Sequence, residues 1–189
     1  MKTTILTLVL MMLAVRTDFA EEFLSVSVQG IEGTIIPAKT AMGWHENIRQ
    51  GRGAPHGIQD MLGTNAESFW TPTQKDIAVV ESRLRTVLEE TVKDPSTLVS
   101  NAKTPDSKKY LSEQISNILK HYGEYRRQYV GLVVNGRRRI YLNSFPSREK
   151  GASYTTQFVT VFDGGFWFWR VVYQLDDATF LDLSINGEA

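Results

Sequence analysis

Apolar positions follow three rhythms along this chain. Residues 5–15 are apolar or threonine without a break; residues 71–122 place apolar side chains every three or four positions; beyond 125 they alternate or form short runs between glycine, asparagine and aspartate. The first pattern is that of a signal-peptide core, the second of amphipathic helices, the third of antiparallel strands.

The helical stretch is the clearest. Ile77, Val80, Leu84, Val87 and Leu88 share one side, with Glu81, Arg85 and Glu89 on the other, which predicts a helix over 71–92. Thr71-Pro72-Thr73-Gln74 reads as its start, with Thr71 as N-cap, proline at the first helical position and Gln74 completing a capping box. Asp94-Pro95 closes it. A second helix from near Ser107 presents Leu111, Ile115, Ile118 and Tyr122, and Gly123 is its stop.

Asn135-Gly136 is the strongest turn signal, because both residue types tolerate the positive φ of a type I′ hairpin. A two-residue loop there pairs Val133 with Arg138, Gly131 with Ile140 and Tyr129 with Leu142 on a mostly apolar face. It pairs Val134 with Arg137, Leu132 with Arg139 and Val130 with Tyr141 on a mixed face open to solvent or a partner. A second hairpin is expected at Asp163-Gly164-Gly165, joining 154–162 to 166–174. Its loop is either Asp163-Gly164 or Gly164-Gly165, and a one-residue slip exchanges the faces of Trp167 and Phe168, so their sides stay open. A last strand, Thr179–Ile185, follows the Asp176-Asp177 turn and is expected to set Leu181, Leu183 and Ile185 on one side.

Residues 21–69 carry one candidate strand, Leu24, Val26 and Val28, amid glycine and proline that predict an irregular segment. Helices followed by a block of strands favour α+β: two helices packed on a curved antiparallel sheet of about five strands, in a cystatin-like or NTF2-like architecture. The expected division is a signal peptide over 1–20, an irregular segment over 21–69 and a single α+β domain over 70–189.

Lys2 precedes the apolar run and Ala20 offers a cleavage position, with Ala14 as the fallback because Asp18 suits the site poorly. The run is shorter than the roughly 20 residues of a bilayer span, and no later stretch reaches that length. An uncleaved anchor is the alternative. Periplasmic or secreted localisation is expected, with no membrane span after cleavage. The chain has no cysteine and no glycosylation acceptor, so its stability rests on the core alone, and a bacterial periplasm suits it best. Removing Lys2, Arg16 and Asp18 with the leader turns the balance of 21 Lys+Arg against 21 Asp+Glu into one net negative charge. That speaks against nucleic acid as a partner.

The segment YRRQYVGLVVNGRRRIYLNSF (125–145) and the tail VFDGGFWFWRVVYQLDDATFLDLSINGEA (161–189) resemble a group of small exported bacterial proteins of uncharacterised function. These share a tyrosine-rich strand, an NGxRxIYxN hairpin, a DGG turn followed by aromatics, and a closing NGxA. The resemblance implies the same fold and supplies no activity. Some members carry a cysteine after the DGG turn or after IYxN. Here those places hold 166–169 and 145–147, without a thiol.

No catalytic signature is legible. His45-Glu46 opens a His-Glu-x-x-His string, but Arg49 stands where the second histidine belongs. His45 and His56 read as solvated loop residues, and His121 as a cation at a helix C-terminus. Residues 51–57 lack the spacing and the flanking strand of a phosphate loop. No metal site and no cofactor is expected. Arg126, Arg127, Arg137, Arg138 and Arg139 form a basic cluster, and arginine forks beside a ring suit carboxylates or phosphates. The candidate contact residues are therefore Arg137, Arg139, Tyr141, Trp167 and Trp169, for an unknown protein or a small anionic ligand. A charged strand end also discourages sheet aggregation. Three functions compete: a non-enzymatic binding or interaction module, a small enzyme with a pocket inside an NTF2-like cone, and an immunity or inhibitor protein against an exported toxin or hydrolase.

Overall fold

Asn135 and Gly136 take φ of 52° and 70°, and the type I′ turn they make organises the sheet. The structure, a computed structural model, describes residues 22–52, 65–148 and 154–188. The leader-like stretch 1–20, His56 and the glycine-rich run beyond Arg52 lie outside the described residues. The elements run β1 (Leu24–Val28), β2 (Ile31–Ile36), α1 (Ala38–Arg49), β3 (Ser68–Trp70), α2 (Gln74–Thr91), α3 (Pro105–Lys120), β4 (Tyr125–Val134), β5 (Arg137–Pro146), β6 (Trp169–Gln174) and β7 (Thr179–Ile185). The class is α+β, as the ordering of helices and strands predicts.

β4 and β5 pair in the expected register, with Tyr129 opposite Leu142 and Val130 opposite Tyr141. Around them stands a seven-stranded sheet in the order β1-β2-β4-β5-β6-β7, with β3 also on β4. β2 runs parallel to β4 over Arg127–Val130, and β3 runs antiparallel to it over Gly131–Val133. One edge of a long strand is thus shared by two short ones. The other pairings are antiparallel.

The sheet therefore has seven strands where about five are expected, and segment 21–69 is not irregular over its described residues, 22–52 and 65–69. β1, β2, α1 and β3 all come from it. Glycine and proline there cluster at 30–37 and from 51 onward. Between them Ala41, Trp44 and Ile48 recur at helical spacing and pack on the sheet. β2 is buried on both faces from Gly33 to Ile36, with Ile35 in the core beneath α2 and α3 and Ile36 in the core beneath α1. That is the burial of an interior strand.

Both long helices start two residues from the predicted point. Thr73, not Thr71, caps α2, in a reciprocal box with Asp76. Thr71 instead accepts the Ala38 N–H at the head of α1, at 3.0 Å. Thr104 caps α3 in a second box with Ser107. His121 is the C-cap of α3, two residues before the expected stop at Gly123.

The second hairpin is corrected outright. β6 is already paired on both sides, by β5 and β7, so 154–162 has no edge to join. It crosses the sheet face as an irregular strap. The glycines, Gly164 at φ 92° and Gly165 at φ 54°, lead into a 3-10 turn over Gly165–Trp167. β7 has the expected bounds, but Asp182 sits at φ 53° beside a register shift. This bulge turns Phe180 and Leu183 to the same core, while Leu181 stands opposite Val172 on the other face.

Candidate functional site

The apolar face of β4 carries a buried polar cluster. Strand alternation sends Tyr125, Arg127 and Tyr129 toward α2 and α3. Arg127 is 0% exposed and Glu81 of α2 2%. The Arg127 Nε lies 3.7 Å from Glu81 Oε1, an ion-pair distance too long for a hydrogen bond. Tyr129 Oη donates to Glu81 Oε1 at 2.9 Å, and Tyr122 Oη donates to Oε2 at 3.2 Å. Arg127 Nη1 donates to Ser144 Oγ at 2.7 Å. The guanidinium carbon sits 4.9 Å from the Trp169 ring and 5.3 Å from those of Tyr122 and Tyr125. Arg127 Nε and Nη2 meet no acceptor among the described residues; the surrounding ring faces supply their electrostatic compensation.

Burial, reinforced by the Glu81 charge, pushes the Tyr129 and Tyr122 phenols well above the ordinary tyrosine value. Burial does the same to Tyr125, whose Oη donates to the Phe166 carbonyl at 2.9 Å. All three phenols stay protonated donors at neutral pH. The chemistry of an acid-base centre is present here, but Glu81, Arg127, Tyr129 and Ser144 offer almost no surface to a substrate. The cluster ties α2 to the sheet.

The mixed face of the hairpin is filled. Tyr141, Val130 and Leu132 are buried with Phe23 and Phe158 beneath Trp44 and Ile48 of α1. Trp44 meets Phe23 and Phe158 edge-on, with centroids 6.0 and 6.1 Å away. Gln128 and Asn143 hold the strap across the rest of this face. Gln128 Nε2 donates to the carbonyls of Tyr154 and Gln157, its Oε1 accepts the Val159 N–H, and Asn143 Nδ2 donates to the Val159 carbonyl.

The five arginines separate. Arg127 enters the core. Arg126 pairs with Glu32 at 3.3 Å and lies 4.5 Å over Tyr154. At the hairpin tip Arg137 is ion-paired with Asp177, whose carboxylate also accepts from Gln174. Arg138 rests 5.4 Å over Trp70, and Asp176 accepts its backbone N–H. Arg139 is half-buried, and its Nε meets no acceptor among the described residues. Such exposed ion pairs contribute at most about 1 kcal/mol each.

The two tryptophans also part. Trp169 is 1% exposed, edge-on to Tyr125. Trp167 is half-buried at the surface. Its ring lies 4.8 Å from His121 and 4.9 Å from Phe166, and the exposed Arg148 guanidinium stands 4.3 Å over it. His121 Nδ1 is 2.7 Å from Glu124 Oε1. The chain end fastens this rim. Asn186 Nδ2 donates to the Val161 and Asp163 carbonyls, Gly165 N–H donates to the Gly187 carbonyl, and Gln114 Nε2 donates to Glu188 Oε1. The DGG turn and the closing Asn-Gly thus bind each other.

Of the five candidate contact residues, Tyr141 and Trp169 are interior, Arg137 and Arg139 share the hairpin tip, and Trp167 stands apart on the rim. His45 faces Phe69 at 5.4 Å on α1. Among the described residues no group of three or more His, Cys, Asp or Glu is placed to hold a metal ion, and no helix is long and apolar enough to cross a membrane. Glu81, expected on the polar side of its helix, is buried instead, while Arg148 and the interior role of Arg127 escape the sequence pattern. A signal for Glu81 exists, since it stands four residues after Ile77 and three before Leu84, inside the buried stripe.

No family model, curated protein or solved structure matches the chain.

Proposed function

We propose that this chain is an exported, non-catalytic recognition module that binds an acidic surface of a partner protein through the Trp167 rim. The observation that carries the reading is the stack of Arg148 over Trp167, flanked by His121 and Phe166. Aromatic and arginine side chains of this kind dominate the energetics of protein interfaces. The rim is anchored from behind by Tyr125 and by the chain end, so little conformational entropy is lost on binding.

A cystatin-like arrangement, with contacts made at the ends of the sheet, accommodates this better than an NTF2-like cone. An enzyme of the second kind needs an open concave face, and α1 and the strap occupy the mixed face here. A small anionic ligand at the hairpin tip would have to displace Asp177 from Arg137. Export rests on the leader-like N-terminus and the absence of cysteine, and N-terminal sequencing of the mature protein from a periplasmic fraction tests it.

The binding test is affinity capture from that fraction with the native protein, Trp167→Ala, Arg148→Ala and Arg137→Ala. The first two variants lose the partner and the third retains it. Capture that survives both rim substitutions overturns the reading. A captured toxin or hydrolase assigns the immunity role to the same rim.

A further inference from the structure

The two edges of the sheet are treated differently. On β7, Asp182 makes a bulge, and the neighbouring Leu183 N–H is already bonded to the Leu98 carbonyl at 3.0 Å. Bulges, charge and covering loops are the usual guards of an edge strand. Among the described residues β1, at the other edge, has none of these over Leu24–Val28, and the strap reaches only Phe23 just before it. Its sequence, Leu24-Ser25-Val26-Ser27-Val28, holds no charge, no proline and no positive φ. Among the described residues it pairs with β2 alone.

The turn after β1 decides which backbone groups are free. Gln29 and Gly30 have φ of 53° and 79° and form a two-residue loop, closed by Val28 opposite Ile31. In such a hairpin the closing pair exchanges hydrogen bonds and pairs then alternate. Val28, Val26 and Leu24 therefore bond to β2. Ser25 and Ser27 turn their N–H and C=O groups outward, and both residues are exposed.

We propose that β1 is the contact edge of a twofold homodimer in which β1 of one copy pairs antiparallel with β1 of the other about Val26. In that register Ser25 lies opposite Ser27 of the second copy, and Ser27 opposite its Ser25. Each pair exchanges both backbone bonds, so all four outward groups of each strand are satisfied. Val26 meets Val26 of the second copy, and the half-exposed Leu24 meets Val28, continuing one apolar row across the joint. The neighbouring registers are poorer. Pairing Ser25 with itself calls on Phe23, whose N–H is already given to the Thr155 carbonyl at 2.8 Å. Pairing Ser27 with itself places Ser25 against Gln29, in the turn. The strand is thus self-complementary in bonding, side-chain pattern and charge, as a twofold interface requires. It is also short. A five-residue strand pair falls below the roughly 1,000 Å² of a stable interface, so the dimer is concentration-dependent, with a dissociation constant on the order of 100 µM.

Sedimentation velocity on the purified protein, from about 1 µM to about 1 mM, tests this. The weight-average mass of the native protein rises toward twice the monomer mass. Ser25→Pro removes an outward N–H while leaving the bonds to β2 intact, and it stays monomeric with an unchanged Tm. Ser27→Lys, which charges the edge, does the same and serves if the proline variant fails to fold. The chain has no cysteine, so Val26→Cys provides a direct readout. The two thiols meet across a non-hydrogen-bonded pair, where Cα atoms stand about 4.5 Å apart, and mild oxidation yields a covalent dimer. Thr179→Cys on the guarded edge yields none. A native protein monomeric at the highest concentration, edge variants that associate like the native chain, or cross-linking at Thr179→Cys in place of Val26→Cys overturns the proposal.

Discussion

Gly33 stands opposite Arg127 across the one parallel pairing among the described residues, and its missing side chain is what lets β2 approach the Arg127 backbone and the Tyr129 ring. A Cβ at Gly33 would lie 2.7 Å from the Arg127 carbonyl oxygen, 3.1 Å from the Arg127 Cβ and 2.9 Å from the Tyr129 ring. Two of these neighbours belong to the backbone or its first side-chain atom and cannot swing away. Gly33→Ala is expected to destabilise by about 1–3 kcal/mol through overpacking. Gly30→Ala, at φ 79° with nothing within 4 Å, costs about 1–2 kcal/mol through backbone strain alone. Urea unfolding compares the two. A packing defect also perturbs the near-ultraviolet signal of the Tyr129 environment, and only Gly33→Ala should show it.

Glu81 and Arg127 compensate each other in the core. Removing either partner leaves a buried charge unpaired, at a cost of about 3–5 kcal/mol. Arg127→Met and Glu81→Leu should each lower Tm by on the order of 10 °C. The double variant should be more stable than the sum of the two losses predicts, because neither charge then remains. Strict additivity in the thermal or urea cycle would show that the pair does not interact.

Alkaline pH is expected to unfold the protein early. Tyr129, Tyr122 and Tyr125 have phenol pKa values raised by burial, with the Glu81 charge adding to the first two. The unfolded chain releases these protons near pH 10, while the folded one keeps them. Above about pH 10 the native state therefore binds more protons, and stability falls as pH rises through the window up to the raised folded values. Each such group contributes a slope of about 1.4 kcal/mol per pH unit. Urea midpoints measured from about pH 8 to pH 11 should hold below about pH 9 and drop steeply above about pH 10, and Tyr129→Phe, which cannot ionise, should flatten the slope by one group. Unchanged midpoints across that window would contradict the placement of the phenols.

Thr73 and Thr104 cap separate helices through reciprocal boxes with Asp76 and Ser107. Each threonine-to-alanine change should cost about 1 kcal/mol, and the two together about 2 kcal/mol, because they share no partner. Thr71→Ala frays α1 instead of α2, since Thr71 Oγ1 accepts the Ala38 N–H. Hydrogen exchange of amides in the first turn of each helix separates the three outcomes.

Local chemistry was legible wherever one residue type dictated its own geometry. Asn135-Gly136 set the hairpin and its register because few other pairs adopt positive φ twice. The stripe from Ile77 to Leu88 announced a helix, and Gly123 marked its neighbour's end to within two residues of the His121 cap. The candidate contacts were less legible. Alternation separates faces but does not say what covers them. Tyr141 looked available because nothing in its own strand shows that α1 lies over it. Trp167 and Trp169 looked equivalent until a 3-10 turn placed one on the rim and the other inside.

The amino-acid sequence by itself determined the class, the two long helices, the central hairpin and the last strand. All of these rest on contacts between residues close in the chain, whose spacing carries the information. The tertiary structure alone decided that β2 enters beside β4 in parallel, that α1 and the strap close the mixed face, and that Glu81 lies inward against Arg127. Those outcomes depend on partners far apart in the chain, such as Glu32 and Arg126, 94 residues apart, and Thr34 and Tyr154, 120 residues apart. Their free energy comes from burying one surface against another, and no local pattern specifies which surface that will be.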